Sequence, residues 1–203
     1  FLITQLLVRE LERSGRISIL GFYARRARRI LPASTVVLVA TAAASVLWLG
    51  AARAPAIITD TVWAAFFAVN IRLANQGTDY FAQDLPVSPV QHYWSLAVEE
   101  QFYIVWPLVI IAVAAVAARS RSARRRADDR PAAPYGRLLV VMVGITGGSF
   151  AWSIVATTAN PTSTYFSTLP RAWELGVGAC GAIWLARRAA DHPRARPVQR
   201  LLA

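Results

Sequence analysis

Four arginines lie close together in the segment Gly21–Pro32, which reads GFYARRARRILP. In a helix, Arg25 shares a face with Arg28 and Arg29, and Arg26 lies one turn from the last of these. Guanidiniums on one face suit a polyphosphate ligand such as coenzyme A, because each binds phosphate oxygens in a bidentate manner. The alternative is that basic residues flank a membrane span and bind anionic lipid head groups. Spacing alone favours this second, topological interpretation.

Two adjacent glutamates, Glu99 and Glu100, stand in the otherwise apolar run His92–Ala118. Ionisable groups in a membrane span are functional candidates, and one of these two can point inward and pair with an arginine. Both cannot face one partner, because successive helical residues differ in direction by about 100°. In the alternative interpretation Ser95 caps the helix, and the helix dipole stabilises both carboxylates at the outer interface.

Three other features are weaker candidates for a chemical role. His92 can act as a general base if a carboxylate lies beside it. Arg171 and Glu174 are spaced for a structural ion pair at the end of an apolar run, and His192 lies in a basic tail without a catalytic context. The single cysteine and the absence of metal-ligand spacing predict no metal site, and the sequence has no nucleotide-binding fingerprint.

The composition indicates an integral membrane protein. Of 203 residues, 56% are hydrophobic and 16% are charged, and the mean hydropathy is +0.41. The net charge of +11 does not indicate nucleic-acid binding, because the arginines lie between apolar runs. We expect an all-α, polytopic membrane helical bundle in the inner or plasma membrane.

Four runs reach the length of about 20 residues that a membrane-spanning helix needs. They are Ile30–Gly50, Ser95–Ala118, Leu138–Ala156 and Ala172–Ala186. A fifth run, Ala56–Leu73, is weaker because it contains Asp60, Asn70 and Arg72, and Phe1–Leu7 resembles the end of a further helix. We therefore predict four to five membrane helices plus the end of another. Close packing of the last run is predicted from its small residues, Gly176, Gly178, Ala179 and Gly181.

The distribution of arginine predicts the topology. Nineteen of the 22 arginines lie in segments 5–29, 119–137 and 187–200, and the positive-inside rule places all three in the cytoplasm. Two crossings then separate the first two segments, so Ala56–Leu73 does not fully cross; the alternative is that one basic loop is outside. This topology places loop 74–94, Glu99 and Glu100 outside, across the membrane from the arginine cluster.

Four stretches together resemble the acyltransferase family 3 of integral-membrane O-acyltransferases. They are FLIT at 1–4, FYARRARRILP at 22–32, HYWSLAVEEQFYIVWP at 92–107 and RAWELGVGA at 171–179. Their order and spacing also match. The resemblance implies that residues 1–203 are part of this domain, from the end of its second span to a middle span, with a basic cytoplasmic linker at 119–137 and a basic tail at 187–203.

The resemblance also implies a reaction: transfer of an acyl group, most often acetyl, from cytoplasmic acyl-CoA to a hydroxyl of a cell-surface glycan or related acceptor. It assigns the arginine cluster to the acyl-donor end and so favours the phosphate-binding interpretation. The candidate catalytic residues in this chain are Glu99, Glu100 and His92. The family's own catalytic histidine lies upstream of FLIT, so we expect the chain to be inactive by itself.

Two alternatives to the enzyme remain open. The protein could be a membrane transporter of an acyl donor or a sugar, or an inactive truncated gene product with a structural role. An arginine and a histidine in a span just upstream would favour the enzyme. In each case the predicted partners are the lipid bilayer and a glycan or other hydroxyl acceptor, and not nucleic acid.

Overall fold

The computed structural model describes residues 1–76, 87–122 and 134–191, which form α-helices and one short 3₁₀ turn and contain no strand. The helices are α1 (Leu2–Ser14), α2 (Ile19–Trp48), α3 (Gly50–Ala65), α4 (Val69–Asn75), α5 (Tyr93–Ser122), α6 (Tyr135–Ala159), α7 (Pro161–Phe166) and α8 (Ala172–Asp191), with the 3₁₀ turn at Leu169–Arg171. The prediction of an all-α membrane helical bundle is confirmed. His192 and parts of the predicted outer loop, linker and tail lie outside the described residues.

Three of the described helices, α2, α5 and α6, are long enough and apolar enough to cross a membrane. They contain the second and third predicted spans in full and the first as far as Trp48. The helix α8 contains the fourth predicted span, Ala172–Ala186, but it is not one of the three. The reason is that Glu174 near its start and Arg187 and Arg188 near its end interrupt its apolar character.

The helix α2 begins at Ile19, well before the predicted start of its span at Ile30. Ser18 caps it, and the side-chain oxygen of this serine accepts a hydrogen bond from the backbone N–H of Gly21 at 3.3 Å. Arginine is a good helix former, so the basic cluster continues the helix rather than preceding it. The arginines and the apolar span therefore share one continuous helix, and Pro32 lies in its interior instead of its first turn.

The run Ala56–Leu73 is not a single helix. It is interrupted between α3 and α4, where Phe67 has a φ of 51°, in the left-handed region that bulky side chains rarely adopt. With 16 residues in α3 and 7 in α4, neither reaches the length of about 20 residues that a span needs. This interruption agrees with the expectation that the run does not form a full span.

The chain divides into two compact units. The first comprises the described residues of Phe1–Ile17, Val105–Gly148 and Trp173–Ala203. In this unit the buried hydroxyl of Thr4 accepts a hydrogen bond of 2.8 Å from the indole N–H of Trp106. The helix α8 lies so close to α6 that a Cβ on Gly176 would overlap the hydroxyl of Thr146. Close packing through a small residue is therefore confirmed at this position.

The second unit comprises Ser18–Ile104 and Ser149–Ala172. Within it, α4 packs against α7, and the start of α5 enters the shared apolar core. The buried members of this core are Leu38, Ala64, Val69, Leu73, Val90, Tyr93, Trp94, Ala97, Val98 and Phe166. This packing fixes the first turns of α5, which carry Glu99, Glu100 and Gln101.

Candidate active site

The centre of the candidate site is an ion pair between α2 and α5. The side chain of Glu100 is buried, and both of its carboxylate oxygens accept hydrogen bonds from Arg26. The distance from the Arg26 Nε atom to the Glu100 Oε2 atom is 2.7 Å, and the Nη2 atom contacts the Oε1 atom. A two-pronged pair of this kind fixes the direction of both side chains, because the guanidinium and the carboxylate are planar.

Two tyrosines complete this contact between the helices. Tyr103 lies one turn after Glu100, and the guanidinium carbon of Arg26 lies 3.8 Å from the centroid of its ring. On α2, the hydroxyl of Tyr23 donates a hydrogen bond of 2.6 Å to the backbone carbonyl of Ile104.

The predicted placement of Glu100 across the membrane from the arginines is wrong, because Glu100 contacts Arg26 directly. Each of these residues lies seven positions after the start of its helix, or about 10 Å along the helix axis. The count of arginines assigned whole segments to one side of the membrane and so placed Arg26 and Glu100 at opposite interfaces. It could not show that α2 and α5 each extend to both sides of their charged residue and contact each other at these residues.

The other arginines of the cluster face away from this pair. Arg25, Arg28 and Arg29 are exposed, as expected for residues that share a helical face. The Nε atom of Arg28 donates to the carbonyl of Ala24 in its own helix at 3.3 Å, and among the described residues neither Arg28 nor Arg29 has an acidic partner. The cluster is therefore divided into one neutralised arginine and an exposed basic face.

The remaining catalytic candidates are not brought together. Glu99 is exposed and makes no ion pair within the described part of the chain. His92 is also exposed, and its ring lies against that of Tyr93, with 5.2 Å between their centroids, rather than against a carboxylate. Ser95 does not cap α5, because the helix begins at Tyr93 and the Ser95 hydroxyl donates to the His92 carbonyl at 3.3 Å.

A closed ring of polar side chains lies next to Glu100 in sequence. The amide of Gln101 donates to the Asn70 oxygen at 3.0 Å and to the backbone carbonyl of Phe67 at 2.9 Å. Asn70, which is 1% exposed, donates to the Thr168 hydroxyl at 3.2 Å and to the Phe166 carbonyl at 3.1 Å. The Thr168 hydroxyl donates back to Gln101 and closes the ring. These bonds hold α5 against the interruption between α3 and α4.

Two further charged groups have partners in the second unit. Arg72 forms an ion pair with the buried carboxylate of Asp60, with 2.6 Å between the Nε and Oδ1 atoms. The guanidinium of Arg171 lies over the rings of Trp94 and Tyr165. In the sequence analysis, Asp60 and Arg72 served only as evidence against a membrane span, and their pairing was not predicted. The predicted pairing of Arg171 with Glu174 stays a prediction.

The family model described as an acyltransferase domain matches residues 1–203. The chain belongs to acyltransferase family 3. The O-acetyltransferase OatA of Staphylococcus aureus strain NCTC 8325 / PS 47 is 36% identical over 114 residues, which are 54% of this chain and 18% of OatA. OatA of strain COL matches to the same extent. The chain thus spans less than a fifth of these curated relatives, and no solved structure matches it.

For this member of acyltransferase family 3, the structure joins two of the stretches on which the resemblance rests. Arg26 comes from stretch 22–32 and Glu100 from stretch 92–107, and their ion pair connects the two. The sequence offered one missed signal, the spacing of Tyr103 three residues after Glu100, which puts both on one face of α5. In the described ranges, no three His, Cys, Asp or Glu side chains are grouped as a metal site.

Proposed function

We propose that this protein takes part in O-acylation at the plasma or inner membrane of a bacterium, as a multi-pass component of an acyltransferase. The donor is cytoplasmic acyl-CoA, with acetyl as the acyl group, and the acceptor is a hydroxyl of a cell-surface glycan. Membership of the family and the similarity to O-acetyltransferases support this proposal. The observation on which it depends is the exposed basic face at Arg28 and Arg29, beside the neutralised Arg26.

The phosphates of the donor bind the exposed basic face. Neighbouring guanidiniums without acidic partners repel each other, and a polyphosphate removes this repulsion while it accepts charge-assisted hydrogen bonds. Arg28 and Arg29 meet this condition within the described residues, and Arg25 lies on the same face. Arg26 differs, because its Nε and Nη2 donors bind Glu100 and its flat face lies against Tyr103.

The ion pair acts as a positioning element. By binding Glu100, Arg26 fixes the turn of α2 that carries the other arginines against the turn of α5 that carries Glu99. The low exposure of both partners, 17% and 11%, shields the pair from solvent and makes it hard to break. In this proposal Glu100 is not the proton acceptor, because its oxygens are already engaged.

Glu99 is the carboxylate available to the acceptor. In the reaction, the acceptor oxygen attacks the thioester carbon, the carbon–sulfur bond breaks, the hydroxyl proton passes to a base, and coenzyme A leaves as the thiol after protonation. Glu99 is exposed and without an ion-pair partner in the described part of the chain, so it can bind the acceptor hydroxyl and orient it. His92 is not placed to assist it, since its ring lies on Tyr93.

The test is incorporation of label from radioactive acetyl-CoA into envelope glycans by membranes that contain the full-length protein. Compared with wild type, Arg28→Gln with Arg29→Gln should raise the KM for acetyl-CoA. Arg53→Gln is the matched control, because Arg53 is also an exposed arginine in a helix. Wild-type membranes with intact protein that transfer no label to any glycan would refute the proposed function.

A further inference from the structure

An apolar groove lies between α5 and α6 in the first unit. Its volume is about 440 Å³, within the range of about 300–1,000 Å³ that is typical of ligand sites. Its lining comprises Ala112, Val113, Val116, Gly136, Val140 and Val141, together with the side chain of Arg137. The surface of the groove is therefore apolar, and the charged end of Arg137 lies beside it rather than within it.

The lining suits an acyl chain better than a polar ligand. No uncharged polar side chain is among the lining residues, so a polar molecule would find little with which to bond. Val116 and Val140 are 57% and 72% exposed, and a Cβ on Gly136 would meet no atom within 4 Å. The missing side chain at Gly136 thus leaves open space between two helices that are apolar enough to cross a membrane.

The positive charge of Arg137 beside this groove favours binding of an anion. Arg137 is exposed and makes no ion pair with the residues that the structure describes. It stands in the first turn of α6, which has no acidic residue. A cation there is opposed by the positive end of the helix dipole, whereas an anion would be stabilised both by the dipole and by the guanidinium. A phosphate group held at this end would satisfy both.

We propose that the groove binds an anionic phospholipid, with an acyl chain between α5 and α6 and the head-group phosphate against Arg137. Charge complementarity selects this occupant. An apolar groove alone would accept any lipid, whereas Arg137, which has no ion-pair partner among the described residues, selects an anionic one. The proposal goes beyond the proposed function and does not depend on it, since the lipid is neither donor nor acceptor.

The experiment measures retained lipid by native mass spectrometry. The full chain is purified in mild detergent and exposed to phosphatidylglycerol or phosphatidylcholine. Wild type should retain phosphatidylglycerol in preference, and Arg137→Gln should reduce that retention about fivefold, the effect expected for one arginine near an anionic head group. Gly136→Leu fills the groove and should reduce retention of both lipids, without loss of folding, because leucine favours the helix.

Each variant has a matched control. Gly144→Leu adds the same side chain to α6 at another glycine with open space, outside the groove. Arg53→Gln removes a charge from another exposed arginine. Neither should alter retention. Equal retention of the two lipids by wild type, or retention unchanged by Gly136→Leu, would overturn the proposal; the second result would mean that the retained lipid binds outside the groove.

Discussion

The carboxylate of Glu100 and the guanidinium of Arg26 form a two-pronged ion pair between residues 74 positions apart, and the ring of Tyr103 covers the guanidinium. Its consequence is a division of labour within two short motifs. The contact between the helices is made by Tyr23 and Arg26 of one motif and by Glu100 and Tyr103 of the other. Other charged residues of the two motifs stay exposed: Glu99 on α5, and Arg28 and Arg29 on α2. The predictions below separate these two groups experimentally.

Glu100→Gln should destabilise the protein far more than Glu99→Gln. The change at Glu100 leaves the weakly exposed guanidinium of Arg26 without a countercharge, and loss of one partner of a buried pair costs about 3–5 kcal/mol. Glu99 is exposed and has no ion-pair partner in the described ranges, so its change should stay within about 0.5 kcal/mol. Thermal unfolding of the protein in detergent, followed by loss of the monodisperse peak, measures the difference.

A double substitution separates the ion pair from mere packing at this position. Replacing Arg26 with Met and Glu100 with Leu removes both charges together, so no uncompensated charge stays buried and much of the lost stability should return. Two results would contradict a stabilising role of the ion pair. The first is a double variant that unfolds at as low a temperature as Glu100→Gln, and the second is equal unfolding temperatures for Glu100→Gln and Glu99→Gln.

Glu99 should act in the reaction and not in donor binding. Glu99→Gln removes the carboxylate but preserves the shape of the side chain, so we expect kcat to fall by about 10²–10⁴, as for loss of a group in general acid–base catalysis, with little change in the KM for acetyl-CoA. Steady-state transfer of labelled acetyl groups measures both constants. Glu99→Asp should restore part of the rate; a variant with raised KM and normal kcat would instead assign Glu99 to the donor.

The sequence predicted some of these relationships and could not predict others. Spacing in α2 correctly placed Arg25, Arg28 and Arg29 on one face. Of the two interpretations of the glutamates, the one in which one of them pairs with an arginine is confirmed. Both inferences are local. The identity of the arginine that pairs with the glutamate, and its depth in the membrane, depend on where two helices distant in sequence contact each other. Helical periodicity and charge counting carry no information about this contact.

The ring of Asn70, Gln101 and Thr168 shows the same limit. In the sequence analysis, Asn70 served only as evidence against a membrane span, and no role was predicted for Gln101. Gln101 is 31 positions from Asn70 and 67 positions from Thr168, so no local pattern connects the three residues. The interruption at Phe67 was also hidden, because a phenylalanine in the left-handed region carries no sequence signature of the kind that glycine provides.

Asn70→Leu should destabilise the protein, and the effect should not add to that of Gln101→Leu. Loss of the Asn70 amide removes its hydrogen bonds to the Phe166 carbonyl, Gln101 and Thr168 in a buried setting, which costs about 1–3 kcal/mol. The bond between Asn70 and Gln101 is lost in either single variant and is counted only once in the double variant, so the coupling energy should be about 0.5–3 kcal/mol. A double-mutant cycle on thermal unfolding measures this value; additive effects would show that the ring does not act as a unit.

Gly176→Ala should destabilise the protein, whereas Gly144→Ala should not. At Gly176 the added Cβ would overlap the hydroxyl of Thr146 on α6, and forcing the helices apart costs about 1–3 kcal/mol. At Gly144 the added Cβ meets no atom within 4 Å, so the better helix propensity of alanine should stabilise the protein by about 0.5–1 kcal/mol. Thermal unfolding compares the two, and Thr146→Ala should partly rescue Gly176→Ala, since it removes the hydroxyl and methyl groups but leaves a close Cβ. Equal behaviour of the two glycine variants would mean that α8 and α6 are not in close contact at this point.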